Sequence, residues 1–330
     1  MSPTITDVPG VLVGHAQDVE ALTGCTVVLV PDGATGGVDV RGGAPGTRET
    51  DLLDPTATVA VVHAITLCGG SAFGLTAATG AVEWLRERAI GFDVGVAKVP
   101  IVPAAVIFDL GIGRADRWPD AAMGYAACAA ATPTVAEGCV GAGTGATVGK
   151  LLGPPGAVKG GVGTWSEMLA DGTLVGALAV CNAWGDIYRQ ADGRIIAGTR
   201  DPQSGLLIDS MALLRQPDYL AAANAASRDS AGQNTTLAVI ATDARLSKAE
   251  ATKLAQMAQD GLARAIRPSH TPFDGDTVFT LATGRRTGPP LAILGAIAAD
   301  VLARAIERSV LEATSLGGVP AARDLKSVEF

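Results

Sequence analysis

A threonine that follows an asparagine at the mouth of an apolar run carries the most chemistry in this chain: Gln233-Asn234-Thr235-Thr236-Leu237-Ala238-Val239-Ile240. Ahead of it lies a loose polar segment, Ser227-Arg228-Asp229-Ser230-Ala231-Gly232. The Thr235 hydroxyl could attack the carbonyl of Asn234, and an N-to-O acyl shift followed by hydrolysis would then expose Thr235 as a new N-terminus. An α-amine ordinarily titrates at about 7.7–8.0, so near neutral pH it can act as general base for the hydroxyl of its own residue. The same letters also read as a turn followed by a β-branched pair opening a strand. The tract alone does not choose between these readings.

Three other patterns imitate functional motifs and fail on spacing. The glycine-rich tract from Gly141 to Lys150 looks like a phosphate loop, but Thr144 and Leu151 stand where that loop needs glycine and a hydroxyl residue. Asp274-Gly275-Asp276 resembles part of a calcium loop, yet its twelfth position is Arg285 rather than an acid. His15, His63 and Cys68 are scattered singly, without zinc spacing. Neither a metal nor a cofactor is expected.

Composition narrows the setting. The 330 residues are 48% hydrophobic and 18% charged, enough for a large core, and one large layered domain is compatible with that length. A net charge of −8 and a longest basic run of Arg285-Arg286 argue against a nucleic-acid partner. Cys25, Cys68, Cys128, Cys139 and Cys181 are odd in number and form no C-x-x-C pair, which reads as buried free thiols in a reducing compartment. The first residues lack the basic and apolar regions of a signal peptide. No uninterrupted apolar run is long enough to span a bilayer. A cytoplasmic protein without a membrane partner is the expectation.

The elements that must position these residues alternate between strands and helices. Residues 26–31, 58–64, 174–182, 236–242 and 277–282 read as strands, several of them ended by turn residues. Residues 71–88 read as a helix, with Ser71 as its N-cap. Ser247 and Glu250 form a capping box ahead of Leu254, Met257, Gly261 and Ala265 at helical spacing. A further helix, apolar on more than one side and so expected between layers, covers 291–314. This mixture predicts an α/β sandwich with sheets inside and helices outside. The one credible boundary is the polar stretch 223–233, which separates two parts of one sheet system.

Several tracts, in order, resemble one family. They are Val38-Asp39-Val40-Arg41-Gly42-Gly43, Leu67-Cys68-Gly69-Gly70-Ser71-Ala72-Phe73-Gly74-Leu75, the run from Gly141 to Lys150, Val180-Cys181-Asn182, Gly232-Gln233-Asn234-Thr235-Thr236, and His270-Thr271-Pro272-Phe273-Asp274-Gly275-Asp276-Thr277. Together they resemble the DmpA-type aminopeptidases and amidases, above all their nylon-oligomer (6-aminohexanoate) endoamidase branch. These are self-processing hydrolases with an N-terminal nucleophile. The resemblance implies an α/β (α+β) fold of the DmpA-like αββα sandwich type. It implies one domain over 1–330, cleaved between Asn234 and Thr235 into a large chain, 1–234, and a small chain, 235–330, that stay together.

By the same resemblance Thr235 is the nucleophile, and Asp274 and Asp276 match the acidic pair kept near it. Alternate strand residues share a face, so both carboxylates could lie beside Thr235. Asn182 would donate its side-chain N–H to a developing oxyanion, and Lys150 would lower the pKa of the Thr235 amine. A serine nucleophile with a Ser-x-Glu pair marks the aminopeptidase members, whereas this chain has Thr235 and Asp-x-Asp. A family tyrosine near the scissile carbonyl aligns with Phe108, so one hydroxyl donor is missing. Arg41 could shape a loop near the site or be a surface residue, and Trp184 could line the substrate pocket or fill the core. The implied substrate is a small amide or short peptide, and the implied assembly an oligomer of processed heterodimers. Two rivals remain: a threonine acyltransferase of the ornithine-acetyltransferase kind, which also cleaves itself, and an unprocessed binding protein.

Overall fold

A computed structural model describes residues 2–225 and 233–325; the polar segment 227–232 and most of the expected boundary lie outside the described residues. Nine strands form the main sheet: β1 (Leu12–Asp18), β2 (Thr23–Val40), β3 (Thr47–Arg48), β4 (Val61–Cys68), β5 (Ala104–Val106), β6 (Gly161–Met168), β7 (Leu174–Asn182), β8 (Thr235–Ala244) and β9 (Thr277–Arg286). Their hydrogen-bonded order is β6-β7-β8-β9-β2-β4-β5-β3, with β1 beside β2.

The 18-residue β2 joins the two halves of this sheet. Its first part pairs with β1 and β4, its last part with β9, and its register to β4 breaks between Leu29 and Ala34. Side chains alternate across a strand, and that alternation distributes every long strand between two cores. Val28 and Val30 of β2, Ile65 and Leu67 of β4, Leu178 and Val180 of β7, Leu237 and Val239 of β8, and Phe279 and Leu281 of β9 meet in one cluster between the halves. The intervening residues of β7, β8 and β9, among them Ala179, Ile240 and Val278, face the helices α3 (Lys248–Ala265) and α4 (Leu291–Leu311). Cys25, Val27, Leu29 and Ala64 face the other pair, α1 (Ala77–Glu87) and α2 (Ala121–Ala129). Helix, sheet, sheet and helix therefore stack as the expected αββα sandwich.

The expected strand at 174–182 matches β7 in full, and those at 236–242 and 277–282 fall inside β8 and β9. The strand expected at 58–64 starts at Val61 and runs on to Cys68. The capping box of Ser247 and Glu250 opens α3. Two expectations need correction. Ser71 is not a helix cap: residues Ser71–Thr76 form a 3-10 turn without a side-chain cap bond, and α1 begins only at Ala77. Nor is α4 enclosed between layers; Asp300 and Arg304 are exposed along its outer side, so it covers the sheet from outside.

Gly261 lets α3 and α4 approach closely. A Cβ there would stand 2.4 Å from the carbonyl oxygen of Ala299. Gly261→Ala is expected to lower stability by about 1–3 kcal/mol in chemical denaturation, the overpacking cost outweighing alanine's better helix propensity. A variant as stable as the parent would show that the helices can separate without loss. Among the described residues, no helix is long and apolar enough to cross a membrane.

Candidate active site

Strand register brings the polar residues together. In the antiparallel β7–β8 pair Asn182 stands opposite Thr235. The parallel β8–β9 register pairs Leu237 with Thr277 and continues upstream to an isolated bridge between Asn234 and Asp274. Thr235 thus enters the sheet between Asn182 on one side and the Asp274-Gly275-Asp276 tract on the other. Asn182, Asn234, Thr235, Asp274 and Asp276 are all at most 5% exposed. A buried polar group without a partner is costly, and all but the Asn234 side-chain oxygen, which has none among the described residues, find one.

Those partners converge on the Asn234–Thr235 peptide. The Thr235 hydroxyl donates to the Asn234 carbonyl oxygen at 2.5 Å. The Gly275 backbone N–H donates to that same oxygen at 2.8 Å. Asp276 accepts the Thr236 N–H at 2.7 Å through Oδ1, and its Oδ2 accepts the His270 N–H at 3.0 Å and lies 2.9 Å from His270 Nδ1. Asp274 Oδ2 accepts from the Thr271 N–H at 2.8 Å and the Thr271 hydroxyl at 2.6 Å. The carboxylates therefore grip the backbone and the loop around Thr235 rather than its hydroxyl. The acidic tract precedes β9 instead of lying within it, so sequence alternation alone did not dictate where the two carboxylates point.

Asn182 is the hub of the opposite wall. Its Oδ1 accepts from the Thr147 N–H at 3.0 Å and from Lys150 Nζ at 2.8 Å. Its Nδ2 donates to the Phe108 carbonyl at 3.2 Å, with a longer reach of 3.5 Å to the Gln233 carbonyl. Lys150 Nζ also donates to the carbonyls of Asn182 at 3.0 Å and Gln233 at 3.3 Å. Lys150 therefore touches the segment just upstream of the Asn234–Thr235 bond, while the Asn182 amide already has an acceptor in Phe108.

Burial dominates the titration of this site. Asp274 is raised to about 6, first by desolvation and then by the neighbouring charge of Asp276, with its Thr271 bonds acting the other way. Lys150 is lowered to about 7 by desolvation, which outweighs the attraction of Asp274. Both shifts carry a stability cost in the ionised form. The raised Asp274 favours the fold most below about pH 4 and loses that advantage as pH rises through 6. The penalty for charged Lys150 is complete below about 7 and is relieved as pH climbs toward 10.5. Strained ionisation of this kind is typical of functional sites.

A cavity of about 210 Å³ adjoins the Gln233 side of the site, lined among others by Phe108, Ile112, Thr147, Lys150 and Val319. Phe108 thus contributes both a ring to the cavity and a carbonyl to Asn182. Trp184 packs edge-on against Phe273, with ring centroids 5.9 Å apart, and its carbonyl accepts the Lys150 N–H at 2.9 Å. The Arg41 guanidinium turns away to Asp39 at 3.0 Å; only its backbone N–H reaches the site, donating to the Asp276 carbonyl at 2.9 Å. Cys25, Cys68, Cys128 and Cys181 are buried free thiols, and Cys139 is a partly exposed one.

Three contributors escaped the sequence reading. Gly275 supplies a backbone donor that only the register exposes, although a glycine between two acids ahead of a strand was a visible signal. His270 stands in the same tract, six residues before the carboxylate it contacts. Lys159 is fully buried, and its Nζ donates to the carbonyls of Thr144 at 2.9 Å and Ala146 at 2.7 Å, fixing the glycine-rich turn that delivers Thr147 and Lys150 to Asn182. Burial lowers its pKa to about 8. Nothing in the sequence separated Lys159 from an ordinary surface lysine.

Comparison with known proteins agrees with this architecture. The model of peptidase family S58 matches residues 3–323. An uncharacterized aminopeptidase of Mycobacterium tuberculosis is 47% identical over 98% of this chain and 97% of its own length. A 6-aminohexanoate-oligomer endohydrolase of Kocuria sp. is 34% identical over 90% of this chain and 82% of its own. Among solved structures, a Burkholderia sp. beta-aminopeptidase superposes with a TM-score of 0.68 at 25% identity, over 97% of this chain and 91% of that one. The L-aminopeptidase D-Ala-esterase/amidase of Ochrobactrum anthropi, described as a variant of the Ntn-hydrolase fold, gives 0.72 at 20% identity, over 97% and 89%. With a family match across nearly its whole length and such relatives beside it, the chain belongs to peptidase family S58, the DmpA family of amide- and peptide-bond hydrolases.

Proposed function

We propose that this protein is a self-cleaving N-terminal-threonine amide hydrolase. The observation that carries the reading is the convergence of two donors, the Thr235 hydroxyl and the Gly275 N–H, on the carbonyl oxygen of Asn234. A nucleophile held against the bond it must cut has little orientational entropy left to lose. A backbone donor already on the carbonyl oxygen is suited to the oxyanion of the tetrahedral intermediate.

In the proposed maturation Thr235 Oγ1 bonds to the Asn234 carbonyl carbon, its proton is given up, and the C–N bond breaks as the nitrogen takes a proton. Water then hydrolyses the ester, leaving a carboxylate on Asn234 and a free amine on Thr235. In turnover that amine accepts the hydroxyl proton as Oγ1 attacks the substrate carbonyl. The amine product leaves, and water releases the acid from the Thr235 ester. Asp274 and Asp276 are assigned to holding the new N-terminus, Lys150 to keeping its amine unprotonated, and Asn182 to the oxyanion once its contact with Gln233 is released. The substrates are small amides, short peptides or oligoamides, and the working unit is an oligomer of heterodimers, 1–234 with 235–330, formed from one domain. The reading is tested by N-terminal sequencing of the small chain from active protein. A sequence beginning Thr235-Thr236-Leu237 is expected, and activity in an unbroken chain would refute it.

The titration of Asp274 gives a second test. In a Thr235→Ala background, which keeps the chain whole under this proposal, Asp274→Asn is expected to raise the melting temperature at pH 8. There the buried carboxylate is ionised at a cost on the order of 2–3 kcal/mol, taking about 1.4 kcal/mol per unit. At pH 4 the carboxyl is already neutral and the two proteins should melt together. Equal differences at both pH values would contradict the assignment.

A further inference from the structure

The backbone of His270 lies in the left-handed region, at φ +56°. Residues other than glycine are uncommon there, and backbone strain of this kind gathers at functional sites. From that conformation both the backbone N–H and the ring of His270 reach a single atom, Asp276 Oδ2, at 3.0 Å and, through Nδ1, 2.9 Å. A carboxylate only accepts, so Nδ1 carries the proton in this contact. The other ring nitrogen, Nε2, is buried without a hydrogen-bond partner among the described residues. The ring is thus directed at Asp276 rather than linked into a longer relay.

Asp276 in turn holds the residue after the nucleophile. Its Oδ1 accepts the Thr236 N–H at 2.7 Å, while its backbone carbonyl accepts the N–H groups of Arg41 at 2.9 Å and Gly42 at 3.2 Å. Under the proposed self-cleavage Thr235 becomes a chain end, and chain ends fray unless they are tied down. The bond from Thr236 to Asp276 lies on the side of Thr235 that is not cut, so it survives processing. The Asp276 side chain is 3% exposed, which leaves it protein donors rather than water, and the two from His270 set the plane of its carboxylate. We infer that His270 is a positioning residue: with Thr235 as nucleophile, its ring N–H fixes the Asp276 carboxylate and, through it, the aim of the freed Thr235 amine and hydroxyl.

The test compares His270→Gly with His270→Asn, using free and N-acetylated p-nitroanilides of glycine, alanine and β-alanine on the processed proteins. Glycine keeps the left-handed backbone and its N–H but removes the ring donor. Asparagine tolerates the same backbone and returns an N–H near the place of Nδ1. The glycine protein is expected to lose about tenfold or more in kcat with KM within about threefold of the parent, and the asparagine protein to recover to within about threefold in kcat. The rate of maturation, followed by intact mass after refolding, should fall in the same order. Parent-like rates in the glycine protein would overturn the role of His270 while leaving Thr235 as the nucleophile. An asparagine protein as slow as the glycine one would overturn it too, because the ring's shape rather than its donor would then matter. Where the glycine protein does not fold, His270→Asp takes its place, since aspartate tolerates this backbone but cannot donate when ionised. An unbroken, active parent chain would instead remove Thr235 as nucleophile and the role of His270 with it.

Discussion

Thr235→Ala should leave a single chain of 33.1 kDa where the proposed processing would give pieces of roughly 23 and 10 kDa, and should lower amide hydrolysis by a factor on the order of 10⁴ or more. Both losses follow from one oxygen. In the proposed mechanism, maturation needs Oγ1 to attack the Asn234 carbonyl against which it is held, and turnover needs the same atom with its freed amine. Alanine removes that oxygen while changing little in the packing, because Thr235 sits at the start of a strand whose apolar contacts begin at Leu237. Thr235→Ser keeps the oxygen and should restore both processes, separating loss of chemistry from loss of structure. Intact mass and a turnover assay read the two effects independently. Cleavage that persisted in the alanine protein would move the nucleophile elsewhere, with Thr236 the neighbouring candidate.

The second large effect is expected at a residue without a side chain. Gly275→Ala should slow maturation by about 10²–10³, the usual consequence of disturbing an oxyanion donor, while the circular dichroism spectrum stays that of the parent. The added Cβ would stand 2.7 Å from Thr235 Oγ1 and 2.9 Å from the Ala44 carbonyl. One of those neighbours must yield, and with it either the aim of the hydroxyl or the N–H bond to the Asn234 oxygen. A time course of cleavage after refolding measures the rate. Maturation at the parent rate would show that neither the close approach nor the Gly275 donor limits the reaction.

Much of the fold was legible because it depends on local pattern. The strands beginning near Leu174, Thr236 and Thr277 carry dense apolar runs, and the helix after Ser247 carries both its cap and its 3.6-residue period. The error at Ser71 has a physical source: a small residue after two glycines suits a cap, but the chain first makes a 3-10 turn there. The expected enclosure of α4 failed for another reason. Its many alanines look apolar on every side, yet alanine tolerates solvent, and the charged residues Asp300, Arg304, Glu307 and Arg308 mark the outward side.

The site divides in the same way. Residue types and order along the chain, read through a family resemblance, nominated Thr235, Asn182, Lys150 and the Asp274–Asp276 pair, and the structure sets these residues side by side. What each of these touches was not in the sequence. Asn182 faces Thr235 through antiparallel register, and Gly275 reaches the Asn234 carbonyl through a parallel one, across separations of about 40 to 50 residues. Pairing between strands is a cooperative property of the packed sheet, so no local stretch encodes it. Burial is likewise collective: Lys159 and Lys150 differ from surface lysines only because the layers close over them. The sequence by itself determined which groups were available and which strands would carry them. The tertiary structure alone decided their partners, because register and desolvation exist only once the two halves of the sheet have met.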